Sequence, residues 1–89
     1  MNSISLQVTY RKGRPFAAYI YLDHLPGQKI VRSEEVAPEI VVDFDGDAQP
    51  IGVEIVSPDA TSIDDILSVF DTLGLSRPDL SELAPLVAA

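Results

Sequence analysis

Alternation of hydrophobic and polar positions dominates the first two thirds of the chain. Residues 4–10 place Ile, Leu, Val and Tyr on one side and Ser, Gln and Thr on the other, which is typical of a half-buried strand. Residues 16–22, FAAYIYL, are apolar at every position and predict a strand covered on both faces, either centrally in a sheet or against a partner. Residues 29–36 alternate weakly, and Glu34 and Glu35 favour a charged edge strand over a catalytic pair.

Residues 40–56, IVVDFDGDAQPIGVEIV, admit two interpretations, a calcium-binding loop or a β-hairpin. Counted from Asp43, aspartates occupy positions 1, 3 and 5 and Glu54 occupies position 12, which is the ligand spacing of an EF-hand loop. That loop needs glycine at its sixth position, where this chain has Ala48, and it needs flanking helices. Both flanks alternate as strands do, so the calcium loop is disfavoured.

The hairpin explains more of these residues. If Phe44 faces Ile51, residues 46–49 form a four-residue loop and the apolar positions of both strands share one buried face. The opposite face is then a solvated acidic surface, and it is also a weak candidate for binding a divalent cation. The carboxylates on it are Asp43, Asp45 and Glu54.

From residue 61 the hydrophobic period changes to 3.6, which predicts an amphipathic helix. Thr61 or Ser62 is the predicted N-cap, and Gly74 suits the left-handed position that ends a helix. A second, shorter helix is predicted after residues 76–79 and should end at Pro85. The apolar stripe of the main helix comprises Ile63, Ile66, Leu67, Phe70 and Leu73.

Together these patterns predict an α+β fold in a single domain, residues 1–89. An antiparallel sheet of about five strands, a meander of hairpins, occupies residues 1–58. The main helix, residues 61–74, packs on one face of that sheet, and residues 76–89 form the short helix and tail. The hydrophobic fraction of 46% and charged fraction of 22% agree with an ordered globular chain.

The net charge of the chain indicates which kind of partner it can bind. Fourteen acidic against six basic residues give a net charge of -8, which repels phosphate backbones and favours cationic partners over nucleic acid. Arg11, Lys12 and Arg14 cluster around a glycine and are interpreted as a solvated turn. The N-terminus lacks an apolar signal segment and no apolar run approaches the roughly 20 residues of a membrane span, so we expect a cytoplasmic protein without a membrane partner.

The sequence offers little catalytic chemistry. The absence of cysteine excludes disulfides and thiolate metal sites, and His24 is the only histidine. His24 lies in a predicted turn, and no nucleophile-elbow pattern accompanies it. Asp43 and Asp45 could form an acid and base pair only inside a pocket that shifts one pKa, which a hairpin face does not provide. We therefore expect no enzyme activity, no metal and no cofactor.

Four segments follow one another along the chain: VTY at 8–10, AYIYL at 18–22, IVVDFD at 40–45 and IGVEI at 51–55. This succession, over about residues 5–56, resembles the YuzE-like family of small bacterial domains of unknown function. The resemblance implies no established activity, and it implies kinship with antitoxin-like partners of small basic ribonuclease toxins. The chain departs from the family where an Asp usually precedes the aromatic strand, because Phe16 and Ala17 stand there, and in its displaced turn glycine, Gly46.

Three functional hypotheses remain. The first is a non-enzymatic interaction module, either a homodimer or the acidic partner of a basic protein. The second is a small-ligand or weak divalent-cation binder that uses the acidic hairpin face, and the third is a hydrolase that uses His24. For the first hypothesis the candidate interaction residues are Tyr19, Tyr21, Asp43, Asp45 and Glu54.

Overall fold

The computed structural model describes residues 4–22 and 27–87, within which five strands form one antiparallel sheet. Helix α1 spans Ile63–Thr72 and the short helix α2 spans Ala84–Val87, and each follows a 3₁₀ turn, at Pro58–Ala60 and Leu80–Leu83 respectively. The predicted α+β class is confirmed. The strands are β1 (Ser5–Arg11), β2 (Arg14–Tyr21), β3 (Arg32–Ala37), β4 (Ile40–Phe44) and β5 (Pro50–Ile55).

The strand order in the sheet is β1-β2-β5-β4-β3, which differs from that of a simple meander. The hairpins β1-β2, β3-β4 and β4-β5 form as predicted, but β5 pairs with β2, matching Ala18 with Ile55 and Tyr21 with Gly52. This order places the apolar β2 and β5 inside the sheet and the charged β3 at one edge. Charged side chains protect an edge strand from unwanted pairing, so the prediction of a charged edge at Glu34 and Glu35 is confirmed.

The β1-β2 hairpin turns more tightly than the sequence predicts. Lys12 and Gly13 both adopt positive φ angles, of 54° and 79°, which is the geometry of a two-residue type I′ turn. The flanking Arg11 and Arg14 therefore belong to the strands and pair with each other. The cluster of basic residues is an exposed hairpin tip, in agreement with its interpretation as a solvated turn.

A register shift follows that turn. Thr9 pairs with Ala17 and Tyr10 pairs with Pro15, so Phe16 is the extra residue of a bulge. Simple alternation would place Phe16 on the same face as Ala18, but the bulge turns its ring outward and leaves it 52% exposed, with Pro15 buried instead. Phe16 is thus excluded from the core by a backbone irregularity that hydrophobic alternation does not reveal.

The core lies on one face of the sheet and includes the apolar stripe of α1. Ser62 caps that helix by accepting a hydrogen bond from the backbone N–H of Asp65 at 3.0 Å, and Gly74 follows its end at a φ of 72°, as predicted. The buried cluster comprises Ala18, Ile20, Leu22, Ile40, Val42, Phe44, Val53, Ile55, Ile66, Val69, Phe70 and Leu83.

The C-terminal segment differs from its prediction at Pro85. The proline lies within α2 and does not end the helical segment that begins at Leu80. A proline is tolerated in the first turn of a helix, where its missing N–H has no intrahelical partner in any case. Neither α1 nor α2, nor any other helix in the described part of the chain, is long and apolar enough to cross a membrane.

Candidate functional site

The strand registers define a second sheet face, opposite the core. Cross-strand partners share a face, so the pairings generate two rows that each cross all five strands. We call these two rows, together with the Thr9 and Ala17 pair, the open face. The first row is Ser5, Tyr21, Gly52, Asp43 and Ser33, and the second is Gln7, Tyr19, Glu54, Val41 and Glu35.

A hydrogen bond between Tyr19 and Asp43 spans the middle of the open face. The Tyr19 hydroxyl donates to Oδ2 of Asp43 at 2.6 Å, and it reaches from β2 to β4 across the intervening β5. Gly52 makes this possible, because a Cβ at that position would overlap the phenol of Tyr19. The glycine therefore serves a close approach of a side chain to the backbone, which is a recognised role of glycine inside a strand.

Asp43 receives a second donor from the neighbouring edge strand. The Ser33 hydroxyl donates to Oδ1 of Asp43 at 2.5 Å, so each carboxylate oxygen has its own partner. Asp43 is only 7% exposed, and the prediction that it belongs to a solvated acidic surface is wrong. The physical reason is that β3 and, across β5, β2 supply hydroxyl donors, which compensate the carboxylate for lost water.

Burial, the hydrogen bond to Asp43 and the negative charge of Asp43 raise the pKa of Tyr19 well above its ordinary value. All three effects disfavour the phenolate, and the nearby Tyr21 and Glu54 act in the same direction more weakly. Tyr19 therefore stays neutral and keeps the proton that it donates to Asp43. Such a phenol holds the face together and is a poor general base.

Tyr21 makes a similar hydrogen bond toward the opposite strand neighbour, β1. Its hydroxyl donates to Oε1 of Gln7 at 2.8 Å, and its ring meets that of Tyr19 edge to face with centroids 4.8 Å apart. Edge-to-face contact is a favoured arrangement of aromatic rings. The two tyrosines thus form one aromatic pair, of which Tyr21 is the exposed member.

Asp45 has a separate role in the β4-β5 hairpin. Its Oδ1 accepts hydrogen bonds from the backbone N–H groups of Asp47 and Gln49, both at 2.9 Å, and its Oδ2 accepts from the Gln28 amide. The donation from Gln49, supported by the other two, lowers the pKa of Asp45 although burial acts in the opposite direction. At 8% exposure Asp45 is not on a solvated surface either, because it closes the loop of its own hairpin.

The hairpin interpretation of residues 40–56 is confirmed, with a corrected register. Phe44 pairs with Pro50 instead of Ile51, since a register shift follows Asp43. The loop is consequently one residue longer than predicted and begins at Asp45, whose backbone N–H donates to the carbonyl oxygen of Gln49 at 3.0 Å.

The carboxylates of the predicted cation face are thus divided among different tasks. Asp43 accepts hydrogen bonds from two hydroxyls, and Asp45 accepts hydrogen bonds that close the hairpin loop. Of the three carboxylates, only Glu54 is exposed. Within residues 4–22 and 27–87 no group of three or more His, Cys, Asp or Glu side chains could hold a metal ion. Nor do Asp43 and Asp45 present themselves as an acid and base pair, since their oxygens have separate partners. His24, the candidate of the hydrolase hypothesis, lies outside the described residues.

A shallow hollow of about 320 Å³ indents the open face beside the tyrosine pair. Ala17 has only a methyl side chain, which leaves space between the larger side chains of the open face. Tyr19, Tyr21 and Glu54 border that space. The hollow is lined on the open face by Gln7, Thr9, Ala17, Tyr19, Tyr21 and Glu54.

The sequence does not predict a role for three residues of the open face, namely Gln7, Ser33 and Gly52. Only Gly52 carries a signal, because a lone glycine inside a strand pattern marks a bulge or a close approach. Gln7 and Ser33 are ordinary polar residues of alternating strands. Their partners become known only once the strand order is known, since Ser33 of β3 and Tyr19 of β2 reach Asp43 from opposite flanks of β4 on the same face.

Comparison with known protein families gives a match to part of the chain. Residues 17–57, which include the second part of β2 and all of β3, β4 and β5, match the sequence pattern of a family described as protein of unknown function, DUF2283. No curated protein and no solved structure matches the chain. The matched region of this chain is thus similar to a small domain of unknown function, and it contains Tyr19, Ser33, Asp43, Gly52 and Glu54.

Proposed function

We propose that this chain is a non-enzymatic protein-interaction module whose open face binds a basic protein. The observation that carries the proposal is the construction of that face. Its buried polar atoms are paired with one another, as the contacts of Asp43 show, while the Tyr21 ring and Glu54 are presented to solvent. A surface whose polar side chains are already hydrogen-bonded within the chain, and which exposes an aromatic ring, is suited to binding. Little side-chain entropy is lost when a partner contacts it.

The same contacts argue against catalysis. A general base needs an oxygen free to accept a substrate proton, and both oxygens of Asp43 already accept hydroxyl protons of this chain. Asp45 is likewise committed to its loop. Glu54 is exposed, and the two rows of the open face contain no His or Lys to act with it, while Asp43 is committed to its two hydroxyl donors. The carboxylates therefore support structure and surface charge.

Charge complementarity selects the kind of partner. The chain carries a net charge of -8, and the two rows of the open face contain Glu54 and Glu35 but no Lys or Arg. A basic surface is attracted by this field, and a like-charged second copy of the chain is repelled. The proposal includes membership of the YuzE-like family and an antitoxin-like role, in which the acidic domain associates with a basic protein.

The test compares two charge reversals of equal size. Glu54→Arg changes the open face, whereas Asp64→Arg changes an exposed residue of α1 on the core side of the sheet. Proteins that copurify with the tagged chain are identified, then purified and titrated into it by calorimetry. We expect a basic partner whose affinity falls roughly tenfold or more with Glu54→Arg, because like charges at an interface repel. Asp64→Arg should bind as the unmodified chain does.

Light scattering of the purified chain distinguishes the occupants. A monomer that gains mass only with the basic protein supports the proposal. A dimer that Glu54→Arg dissociates would show that a second copy occupies the open face. A partner that binds both variants equally would place the interaction elsewhere on the molecule.

A further inference from the structure

The hollow beside the tyrosine pair has the chemistry of a cation subsite. Two aromatic rings, those of Tyr19 and Tyr21, and the carboxylate of Glu54 border it. Aromatic faces and carboxylates both attract positive charge. No Lys or Arg lines this hollow to neutralise Glu54, so its charge is available to a ligand from outside.

The directions of the hydrogen bonds also favour a cationic ligand in this hollow. Each tyrosine hydroxyl has one proton, and both protons are donated inside the chain, to Asp43 and to Gln7. The exposed phenol oxygen of Tyr21 therefore offers only acceptor capacity to a ligand, as does the carboxylate of Glu54. A group that carries several N–H donors and no acceptor complements these oxygens best.

We infer that this hollow binds the guanidinium of an arginine side chain. The inference rests on the proposed function and names the group that a basic partner inserts. Guanidinium is planar, so it can stack on the Tyr21 ring while its N–H fork donates to both oxygens of Glu54. A lysine ammonium supplies charge but neither the stacking plane nor the fork, so arginine is preferred over lysine.

The dimensions and composition of the hollow favour a single side chain over other ligand classes. About 320 Å³ lies at the lower end of the range for small-molecule sites and suits one side chain. A hard divalent cation needs six or more oxygens, whereas Glu54 is the only carboxylate of the hollow. An anion would be repelled by the Glu54 carboxylate and by the net charge of -8 of the chain.

The test uses three short peptides with blocked termini that are identical except for one central residue, which is arginine, lysine or citrulline. Citrulline keeps the shape of arginine but lacks its charge. Each peptide is titrated into the isotope-labelled full chain, and amide shifts are followed by NMR. We expect the arginine peptide to move the signals of Ala17, Tyr21 and Glu54, and to bind about two- to fivefold more tightly than the lysine peptide. The citrulline peptide should bind the most weakly.

Matched variants locate the site. Glu54→Gln should weaken arginine binding about two- to fivefold, with a smaller loss at high salt. Glu35→Gln makes the same change in the same row of the open face but outside the hollow, so it should weaken binding clearly less than Glu54→Gln does. Ala17→Leu should abolish the preference for arginine by filling the hollow without altering charge. Circular dichroism melting confirms that each variant is folded.

The outcomes separate this inference from the function on which it rests. If the three peptides bind the open face equally well, or if Glu35→Gln weakens binding as much as Glu54→Gln, the arginine subsite is wrong and the interaction module stands. If no basic peptide shifts any signal of the open face, the proposed function falls together with the subsite.

Discussion

The two faces of the sheet use alternate residues of the same five strands, yet they are stabilised in different ways. On the core face Ile20, Val42 and Val53 are fully buried among apolar neighbours and the stripe of α1. On the open face Tyr19 and Asp43 meet through a directional hydrogen bond over a glycine. Burial on the first face depends on apolar area, whereas order on the second depends on the pairing of particular donors and acceptors.

The two faces differ in how well they tolerate substitution. Apolar packing accepts a similar side chain of the right volume, because dispersion contacts have no direction. The open face requires a hydroxyl at Tyr19, a carboxylate at Asp43 and no side chain at Gly52. Four substitutions measure this contrast, and matched controls accompany those at Gly52 and Tyr19.

Phe70→Ala tests the core face. Phe70 is 1% exposed and belongs to the buried cluster, so its truncation leaves a cavity beneath the sheet. We expect the free energy of unfolding to fall by about 3 to 5 kcal/mol, measured by urea denaturation. A loss below about 1 kcal/mol would mean that α1 contributes little to the core.

Gly52→Ala tests the close approach on the open face. The new Cβ would displace the Tyr19 phenol, and the expected loss is about 1 to 3 kcal/mol. In a Tyr19→Ala background the same substitution should cost almost nothing, and a double-mutant cycle reports the coupling.

Gly46→Ala is the matched control for Gly52→Ala. Its Cβ would lie 3.8 Å from Cγ2 of Val31, at ordinary contact distance, so the change should stay within about 0.5 kcal/mol. Equal losses at Gly46 and Gly52 would refute the importance of the phenol above Gly52.

Tyr19→Phe removes the hydroxyl and keeps the ring, with an expected loss of about 1 kcal/mol at neutral pH. The pH dependence is more specific. Because the folded pKa of Tyr19 is raised, the stability it provides is complete below the unfolded pKa of about 10 and is lost as pH rises through the folded pKa. The alkaline decline in unfolding free energy should be shallower in Tyr19→Phe, whereas Tyr21→Phe, which keeps Tyr19, should retain it.

Glu54→Gln should have the smallest effect on folding, within about 0.5 kcal/mol, because the side chain is exposed. Its effect belongs to binding, as the peptide titrations measure. A loss of stability comparable to that of Gly52→Ala would make Glu54 part of the structural network and would remove it from the proposed binding surface.

Much of the architecture follows from local patterns in the chain. Alternation locates the strands, and the 3.6 period locates α1 together with its cap at Ser62 and its stop at Gly74. Local patterns fail where the backbone departs from regularity. The bulge that exposes Phe16 and the shifted register that pairs Phe44 with Pro50 are set by twist and pairing between strands, which alternation does not encode.

The candidate site shows the same division. The period of two already assigns Tyr19, Asp43 and Glu54 to the side of their strands opposite the core. What those residues contact depends on the tertiary structure. With β5 between β2 and β4, and Gly52 beneath the phenol, Tyr19 reaches Asp43 and turns an expected surface carboxylate into a buried one. Strand order is a long-range property, because it depends on contacts between segments far apart in sequence, and no local pattern specifies it.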